Sequence, residues 1–200
     1  FLKRVFDFTV SSLMLAVLSP VLAVLAVLIR LDSEGPVFYR QERVTQYGRK
    51  FRIYKFRTMV QDADKKGSLV TTQGDARITR IGKKLRGCRL DELPQLINIW
   101  KGEMSFVGTR PEVVKYVKQY TDEMYATLLL PAGVTSEASV QFKDEDQRIA
   151  AGVEAGRSAD EVYVEDVLGE KMEINLKELK EFSMAGNVKT MIRTVRAVTK

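Results

Sequence analysis

Leu90-Asp91-Glu92-Leu93-Pro94-Gln95-Leu96-Ile97-Asn98-Ile99-Trp100-Lys101-Gly102 reads as a short amphipathic helix with two acids at its mouth. Pro94 belongs in a first turn, where a missing N–H costs no hydrogen bond. Leu93, Leu96, Ile97 and Trp100 recur at i, i+3, i+4 and i+7, which predicts one buried face. Gly102 is placed to end the helix. Asp91 and Glu92 would then lie near the positive pole of a helix, which favours their anionic forms and also draws phosphate. Two acids capping a core helix is the plainer reading of the same pair.

Composition narrows the chemistry. The 200-residue chain, enough for one domain with a real core, has no histidine and a single cysteine, Cys88. Imidazole acid–base catalysis and His-ligated metals are therefore excluded, as are an internal disulfide and a thiolate metal site. One cysteine fits a reducing compartment. Catalysis is left to carboxylates, Lys and Arg, hydroxyls, or a hard cation held by oxygen, such as Mg²⁺. The net charge of +6 is unevenly spread: residues 30–89 hold 16 Lys/Arg against 6 Asp/Glu, whereas residues 90–200 hold 14 against 19. That basic stretch leads into the Asp91-Glu92 pair and calls for a polyanion: nucleic acid, anionic lipid or a phosphorylated substrate.

Phe8 to Ile29 is a run of 22 residues without a charge. As a helix it would be roughly 33 Å long, enough for a bilayer core of about 30 Å. It is too long for a signal peptide, and Arg30-Leu31-Asp32 follows where a small-residue cleavage site would stand. Ser19-Pro20 falls near its middle, where proline deletes a backbone hydrogen bond and disfavours helical geometry at Ser19. A kinked span and a dip that returns to the same face both satisfy these residues. The heavy positive load after Arg30 keeps that side cytoplasmic.

Further along, Pro36-Val37-Phe38-Tyr39-Arg40 and Lys50–Phe56 read as short strands joined through a turn at Gln46-Tyr47-Gly48. Arg52, Lys55 and Arg57 interleave with aromatics there, which suits either a nucleic-acid surface or a small hairpin with its charges in water. Residues 61–76 read as a polar loop, and Arg77–Leu85 as a helix with Arg80, Lys83, Lys84 and Arg86 on a cationic face. Gly108-Thr109-Arg110-Pro111 breaks the chain, with a helix expected from Pro111 to about Met124. Pro131-Ala132-Gly133 marks a turn before the short apolar stretch Ala138–Phe142. Asp144-Glu145-Asp146 reads as a helix start, with a cation site as a second reading. Near the C-terminus Val188, Met191, Ile192 and Val195 share one helical face, beside Lys189, Arg193, Arg196 and Lys200. A helix lying in a membrane interface and one packed on the core share this pattern. No internal repeat or low-complexity segment is present.

The chain resembles the monotopic phosphoglycosyl transferases among the bacterial sugar transferases. The motifs that carry the resemblance are Phe1–Asp7, the Ser19-Pro20 break, Ile53–Met59, Arg77–Gly82, Leu90–Leu96 and Lys101–Gly108 running into Arg110-Pro111. They occur in order over roughly residues 1–112. Gly108-Thr109-Arg110-Pro111 and Pro131-Ala132-Gly133-Val134-Thr135 depart from the usual family wording.

The resemblance implies transfer of a sugar-1-phosphate from a UDP-sugar to polyprenyl phosphate, with Mg²⁺, as the first membrane step of a polysaccharide or glycoconjugate pathway. Asp91 would be the nucleophile, forming a covalent phosphosugar, with Glu92 holding the metal beside it. Lys55, Arg57, Arg77, Arg80, Arg110 and Pro111 would serve the phosphates, and Lys3, Arg4, Ser19 and Pro20 the membrane and polyprenyl side. The expected fold is α+β and mostly helical. Residues 1–30 would form a re-entrant membrane helix broken at Ser19-Pro20, and residues 31–200 a catalytic unit on the cytoplasmic face of the bacterial inner membrane, with a small hairpin and interfacial helices. Membrane phospholipid is an expected partner, a homodimer is allowed, and nucleic acid is not expected. Starting at Phe1 without methionine, the chain also fits the catalytic end of a longer protein. The competing reading is a non-catalytic membrane anchor or scaffold that binds anionic lipid or an acidic partner through residues 30–89.

Overall fold

The computed structural model describes residues 1–63, 75–142 and 144–198. Most of the loop expected over residues 61–76, and Lys200, lie outside the described residues.

The apolar run forms one helix, α1, from Leu2 to Asp32, with Pro20 inside it. The expected break into two helices is not seen, and the reason is local. Proline at position 20 leaves the Ala16 carbonyl without its i+4 donor. The Ser19 hydroxyl donates to that same carbonyl at 2.8 Å, so the freed acceptor is filled without leaving the helix.

Both ends of α1 are fastened to the same body. Near its start, Lys3 Nζ donates to the Val107 carbonyl at 2.9 Å. The Arg4 guanidinium donates to the Ile99 and Trp100 carbonyls at 2.6 and 2.7 Å. At its far end Asp32 accepts from the Ile81 N–H at 2.9 Å, and Ile29 packs with Phe56 and Leu85. Along the opposite side Leu13, Val17, Val21, Val24, Leu28 and Leu31 are exposed.

Strands β1 (Phe38–Val44) and β2 (Lys50–Phe56) pair antiparallel, in register from Phe38 opposite Phe56 to Val44 opposite Lys50. β1 begins later and runs further than the sequence pattern suggests, and its Tyr39, Gln41 and Arg43 share the better-buried face. Helix α2 (Arg80–Gly87) starts at Thr79, whose hydroxyl accepts from the Gly82 N–H at 3.0 Å. A 3₁₀ turn, Leu90–Glu92, then leads into α3 (Gln95–Lys101), which Gly102 ends in the left-handed conformation. The two acids therefore sit in the turn before the helix.

The buried face of α3 differs from the expected one. Leu96 and Ile99 enter the core with Phe51, Ile53, Met104 and Phe106, while Trp100 is exposed and stacks on Phe8. Asn98 sets this rotation. Its buried amide donates to the Arg52 carbonyl at 3.0 Å and accepts from the Tyr54 N–H at 2.8 Å, bolting α3 to the free edge of β2.

A second, unforeseen pair joins β3 (Ser105–Val107) in parallel to β4 (Gly133–Thr135). The helix expected over 111–124 is instead two pieces, α4 (Val114–Val117) and α5 (Asp122–Tyr125), because Thr121 caps a new start. Helices α6 (Glu137–Gln141), α7 (Glu145–Glu154) and α8 (Ala159–Val162) follow. A wide π turn, Tyr163–Leu168, continues into α9 (Gly169–Lys180), and α10 (Met184–Val198) comes last. Tyr116, Ile149, Tyr163, Val167 and Met172 form the core of this half.

On α10, Val188, Ile192 and Val195 are exposed beside Lys189, Arg193 and Arg196, so three of the four apolar residues face outward and only Met191 packs inward. That is the arrangement of an interfacial helix. Among the described residues no cluster that could hold a metal surrounds Asp144-Glu145-Asp146, and Glu145 pairs with the buried Lys171 at 3.0 Å. The architecture is α+β and mostly helical, as expected.

At the β3–β4 contact, a Cβ on Gly133 would stand 2.1 Å from the Gly108 nitrogen. Overpacking of this kind costs about 1–3 kcal/mol. Gly133→Ala is expected to lower the thermal midpoint by several degrees in a melting experiment; an unchanged midpoint would contradict the close approach.

Candidate active site

Glu92 Oε1 accepts from Lys55 Nζ at 2.9 Å and from the Arg110 guanidinium at 2.6 Å. Three segments meet there: the turn before α3, the end of β2 and the loop after β3. Burial opposes charge on Glu92, but Arg110 and Lys55 outweigh it and hold the carboxyl well below the usual glutamate range. Burial in turn lowers the Lys55 ammonium, with Glu92 opposing. Among the described residues nothing hydrogen-bonds the Asp91 carboxylate, though Asp91 is only 8% exposed. Burial pushes its pKa up; Lys55 pulls it back, Glu92 pushes it further up, and Arg86 and Arg110 lower it.

Asp91 and Glu92 face different spaces. Asp91 lines a cavity of about 530 Å³ whose wall includes Arg40, Arg43, Lys55, Arg57, Arg77 and Arg86. Glu92 and Arg110 line a second cavity of about 480 Å³ with a largely apolar wall. A carboxylate with no hydrogen bond among the described residues, set among arginines and a lysine, is equipped to meet a phosphate group, since the cations neutralise the charge that would repel it.

The other expected site residues divide. Lys55 and Arg110 are at the centre. Arg77 lines the basic cavity, but its guanidinium is paired with Asp75 and donates to the Ala63 carbonyl at 2.8 Å. Arg57 also lines it, yet is buried and donates to the Ser33 and Glu34 carbonyls, closing the exit from α1. Pro111 is buried, and its carbonyl accepts from Arg43 at 3.0 Å. Arg80 is not brought to the site: it is exposed at the start of α2, 3.9 Å from Asp32. Lys3 turns inward to the Val107 carbonyl on β3, and Arg4 to the last carbonyls of α3, where a cation suits a helix C-terminus. Ser19 and Pro20 lie exposed on α1, with Ser19 spent on the Ala16 carbonyl.

Sequence reasoning missed Arg40 and Arg43 as cavity residues; Arg86, expected on a cationic face that could serve phosphate, does line the cavity. Alternation along the full strand would have found Arg43, which shares a face with Tyr39; Tyr39 stands opposite Lys55.

Residues 1–200 match the family described as bacterial sugar transferase. The chain belongs to that family. An Aeromonas hydrophila protein named UDP-N-acetylgalactosamine-undecaprenyl-phosphate N-acetylgalactosaminephosphotransferase is 36% identical over 202 residues, 99% of this chain and 44% of that protein. An Escherichia coli K12 protein named UDP-glucose:undecaprenyl-phosphate glucose-1-phosphate transferase is 32% identical over 198 residues, 97% of this chain and 39% of that protein. An exopolysaccharide production protein of Rhizobium leguminosarum is 48% identical over 110 residues, 54% of this chain and 55% of its own length. The chain thus spans less than half the length of the Aeromonas and Escherichia relatives.

In this chain the Asp91 carboxyl is expected to titrate above the ~3.9 of a free aspartate. Lys55→Met removes a cation that lowers it, so the titration should move to still higher pH. Carboxyl-carbon NMR with Asp91 assigned by Asp91→Asn checks both; a downward move in Lys55→Met would contradict the electrostatic reading.

Proposed function

We propose that the chain moves a sugar-1-phosphate from a UDP-sugar to undecaprenyl phosphate through a covalent intermediate on Asp91. The observation that carries this is an Asp91 carboxylate with no hydrogen bond among the described residues, facing a basic cavity beside a Glu92 held between Lys55 and Arg110. Relatives named for this transfer to undecaprenyl phosphate support it. A non-catalytic anchor would have no use for such a carboxylate.

In the first step an Asp91 oxygen attacks the phosphorus that bears the sugar. The bond from that phosphorus to the bridging oxygen breaks, and uridine monophosphate leaves with the electron pair. Asp91 then carries the sugar phosphate as an acyl phosphate. In the second step a phosphate oxygen of the polyprenyl phosphate attacks the same phosphorus, and the Asp91 carboxylate leaves. The product is polyprenyl diphosphate-sugar. Asp91 needs no general base because it attacks as an anion, which fits a chain without histidine. Lys55 and Arg86, whose charges act on Asp91, with Arg43 on the wall of the same cavity, would offset the charge on the transferred group.

The donor set suits a hard cation. Mg²⁺ is commonly held by one or two carboxylates together with substrate phosphates. Asp91 and the Glu92 Oε2 atom, which neither Lys55 nor Arg110 uses, would hold it. When bound it would neutralise phosphate charge.

The setting is the cytoplasmic face of the bacterial inner membrane, with residues 1–30 dipping into it and the rest of the chain as the catalytic unit. A helix standing across a bilayer carries its two ends to opposite surfaces. Here both ends of α1 are fixed to one body while its outer stripe is exposed and apolar.

Asp91→Asn is expected to lower turnover at least about 10³-fold and to abolish the adduct seen by mass spectrometry with UDP-N-acetylgalactosamine or UDP-glucose alone. Wild-type turnover from Asp91→Asn protein would rule out the nucleophile. For topology, Leu2→Cys and Val60→Cys, each in a Cys88→Ser background because Cys88 is exposed, should both resist labelling from the periplasm. Periplasmic labelling at residue 2 alone would mean that α1 crosses.

A further inference from the structure

Behind the loop that carries Arg110 lies a set of buried ionisable groups that the transfer chemistry does not use. The Tyr163 hydroxyl donates to Glu112 Oε1 and accepts from Lys171 Nζ at 3.3 Å. Lys171 stands 3.9 Å from the same Glu112 oxygen and pairs with Glu145 at 3.0 Å. Glu112, Tyr163 and Lys171 are all buried. Tyr163 opens the wide π turn, a form that is rare and frequent at functional sites. Such a set stabilises a core poorly, because desolvation of the ions offsets most of their attraction. A role in geometry accounts for it better.

Glu112 is joined to the site through main chain and through charge. Its carbonyl accepts from the Val44 N–H at 3.0 Å, and the Pro111 carbonyl accepts from Arg43 at 3.0 Å. Residues 111 and 112 are thus stitched to the end of β1. Arg110 comes immediately before them, with Pro111 restricting the backbone between. Across this segment two arginines repel each other. Burial disfavours the Arg43 cation, Glu112 opposes that effect, and Arg110 adds to it. On the Arg110 cation Glu92 has the strongest hold, and Glu145 and Glu112 reinforce it. Glu112 is therefore the anion that lets both arginines stand at the site, Arg43 on the wall of the basic cavity and Arg110 against Glu92.

Resting on the transfer reading above, we infer that Glu112 is a positioning residue for the reaction, locked by Tyr163 and Lys171 so that Arg110 is presented to Glu92 and Arg43 to the basic cavity. Glu112 touches no reacting atom and acts through the two arginines. The link runs from Lys171 on α9 through Tyr163 to a loop 51 residues earlier than that tyrosine. The core of the C-terminal half thereby sets where the cations stand around the dyad.

Tyr163→Phe tests this, since it removes the hydroxyl and keeps the ring that packs on Tyr116. With whichever of UDP-N-acetylgalactosamine or UDP-glucose the wild-type protein uses, the first release of uridine monophosphate should slow at least about tenfold, while the donor KM stays within about threefold. Arginine side-chain NMR supplies a readout that needs no turnover. Guanidinium N–H exchange should quicken at least about tenfold at Arg43 and Arg110. It should stay unchanged at Arg4, which is held by α3 carbonyls outside the network. A first turnover within about twofold of wild type, unchanged exchange at both arginines, or equal quickening at Arg4 would each overturn the proposal. Glu112→Gln keeps an acceptor for Tyr163 but removes the charge; it carries the same expectations and stands in should Tyr163→Phe not fold. Wild-type protein that releases no nucleotide from any UDP-sugar would defeat the transfer reading instead, and the exchange measurement would then judge the network alone.

Discussion

One carboxylate oxygen holds the site together. Glu92 Oε1 is shared by Lys55 from the hairpin and Arg110 from the loop after β3, so a single anion joins three stretches that are distant in sequence. The side chains of Lys55 and Glu92 are 18% and 11% exposed, so the pair is poorly screened by solvent. Removing one partner of such a buried pair typically costs about 3–5 kcal/mol, because the other charge is left stranded. Two cations around one anion leave a net positive surplus, and it falls on the neighbour, Asp91. Burial raises the energy of the Asp91 anion while Lys55, Arg86 and Arg110 lower it, the balance that the proposed nucleophile would need.

The long helix matters through its attachments more than through its length. Lys3, Arg4 and Asp7 face the domain at one end, and Ile29 and Asp32 do so at the other. Between them Leu15, Leu18, Leu22 and Leu25 pack inward while the opposite stripe stays bare. The hydrophobic effect then has one unsatisfied face to bury, running the length of α1, with the outward face of α10 offering a second. Both helices also contribute to the wall of the apolar cavity beside the dyad.

Several features could be read directly from residue order. The Asp91-Glu92 pair, the turn at Gly102, the hairpin around Gln46–Gly48 and the apolar N-terminal helix each depend on local patterns or backbone preferences. Other readings failed where distant partners decide. Periodicity placed Trp100 inside, but Asn98 docking on the β2 edge rotates α3 and leaves Trp100 outside against Phe8. The resemblance puts Arg57 and Arg80 among the phosphate ligands; one is consumed by carbonyls just after α1, and the other points to solvent. Arg43 lies beyond the Pro36–Arg40 stretch that the sequence pattern marks as the strand. Lys3 and Arg4 looked like membrane anchors, yet the carbonyls at the end of α3 and on β3 were better partners than headgroups.

Residue order by itself determined which chemistry was open to this chain: no imidazole, no thiolate cluster, a carboxylate pair after a basic stretch, and one segment suited to lipid. These follow from side-chain inventory and from backbone preferences spanning a few residues, which need no partner to act. Only the tertiary structure decided which cations reach the dyad and which are spent elsewhere. Only it showed that Asp91 and Glu92 open onto different cavities, and that both ends of α1 belong to one body. Those outcomes rest on contacts between residues up to about a hundred positions apart, such as Phe106 with Asp7, and short-range preference carries no information about them.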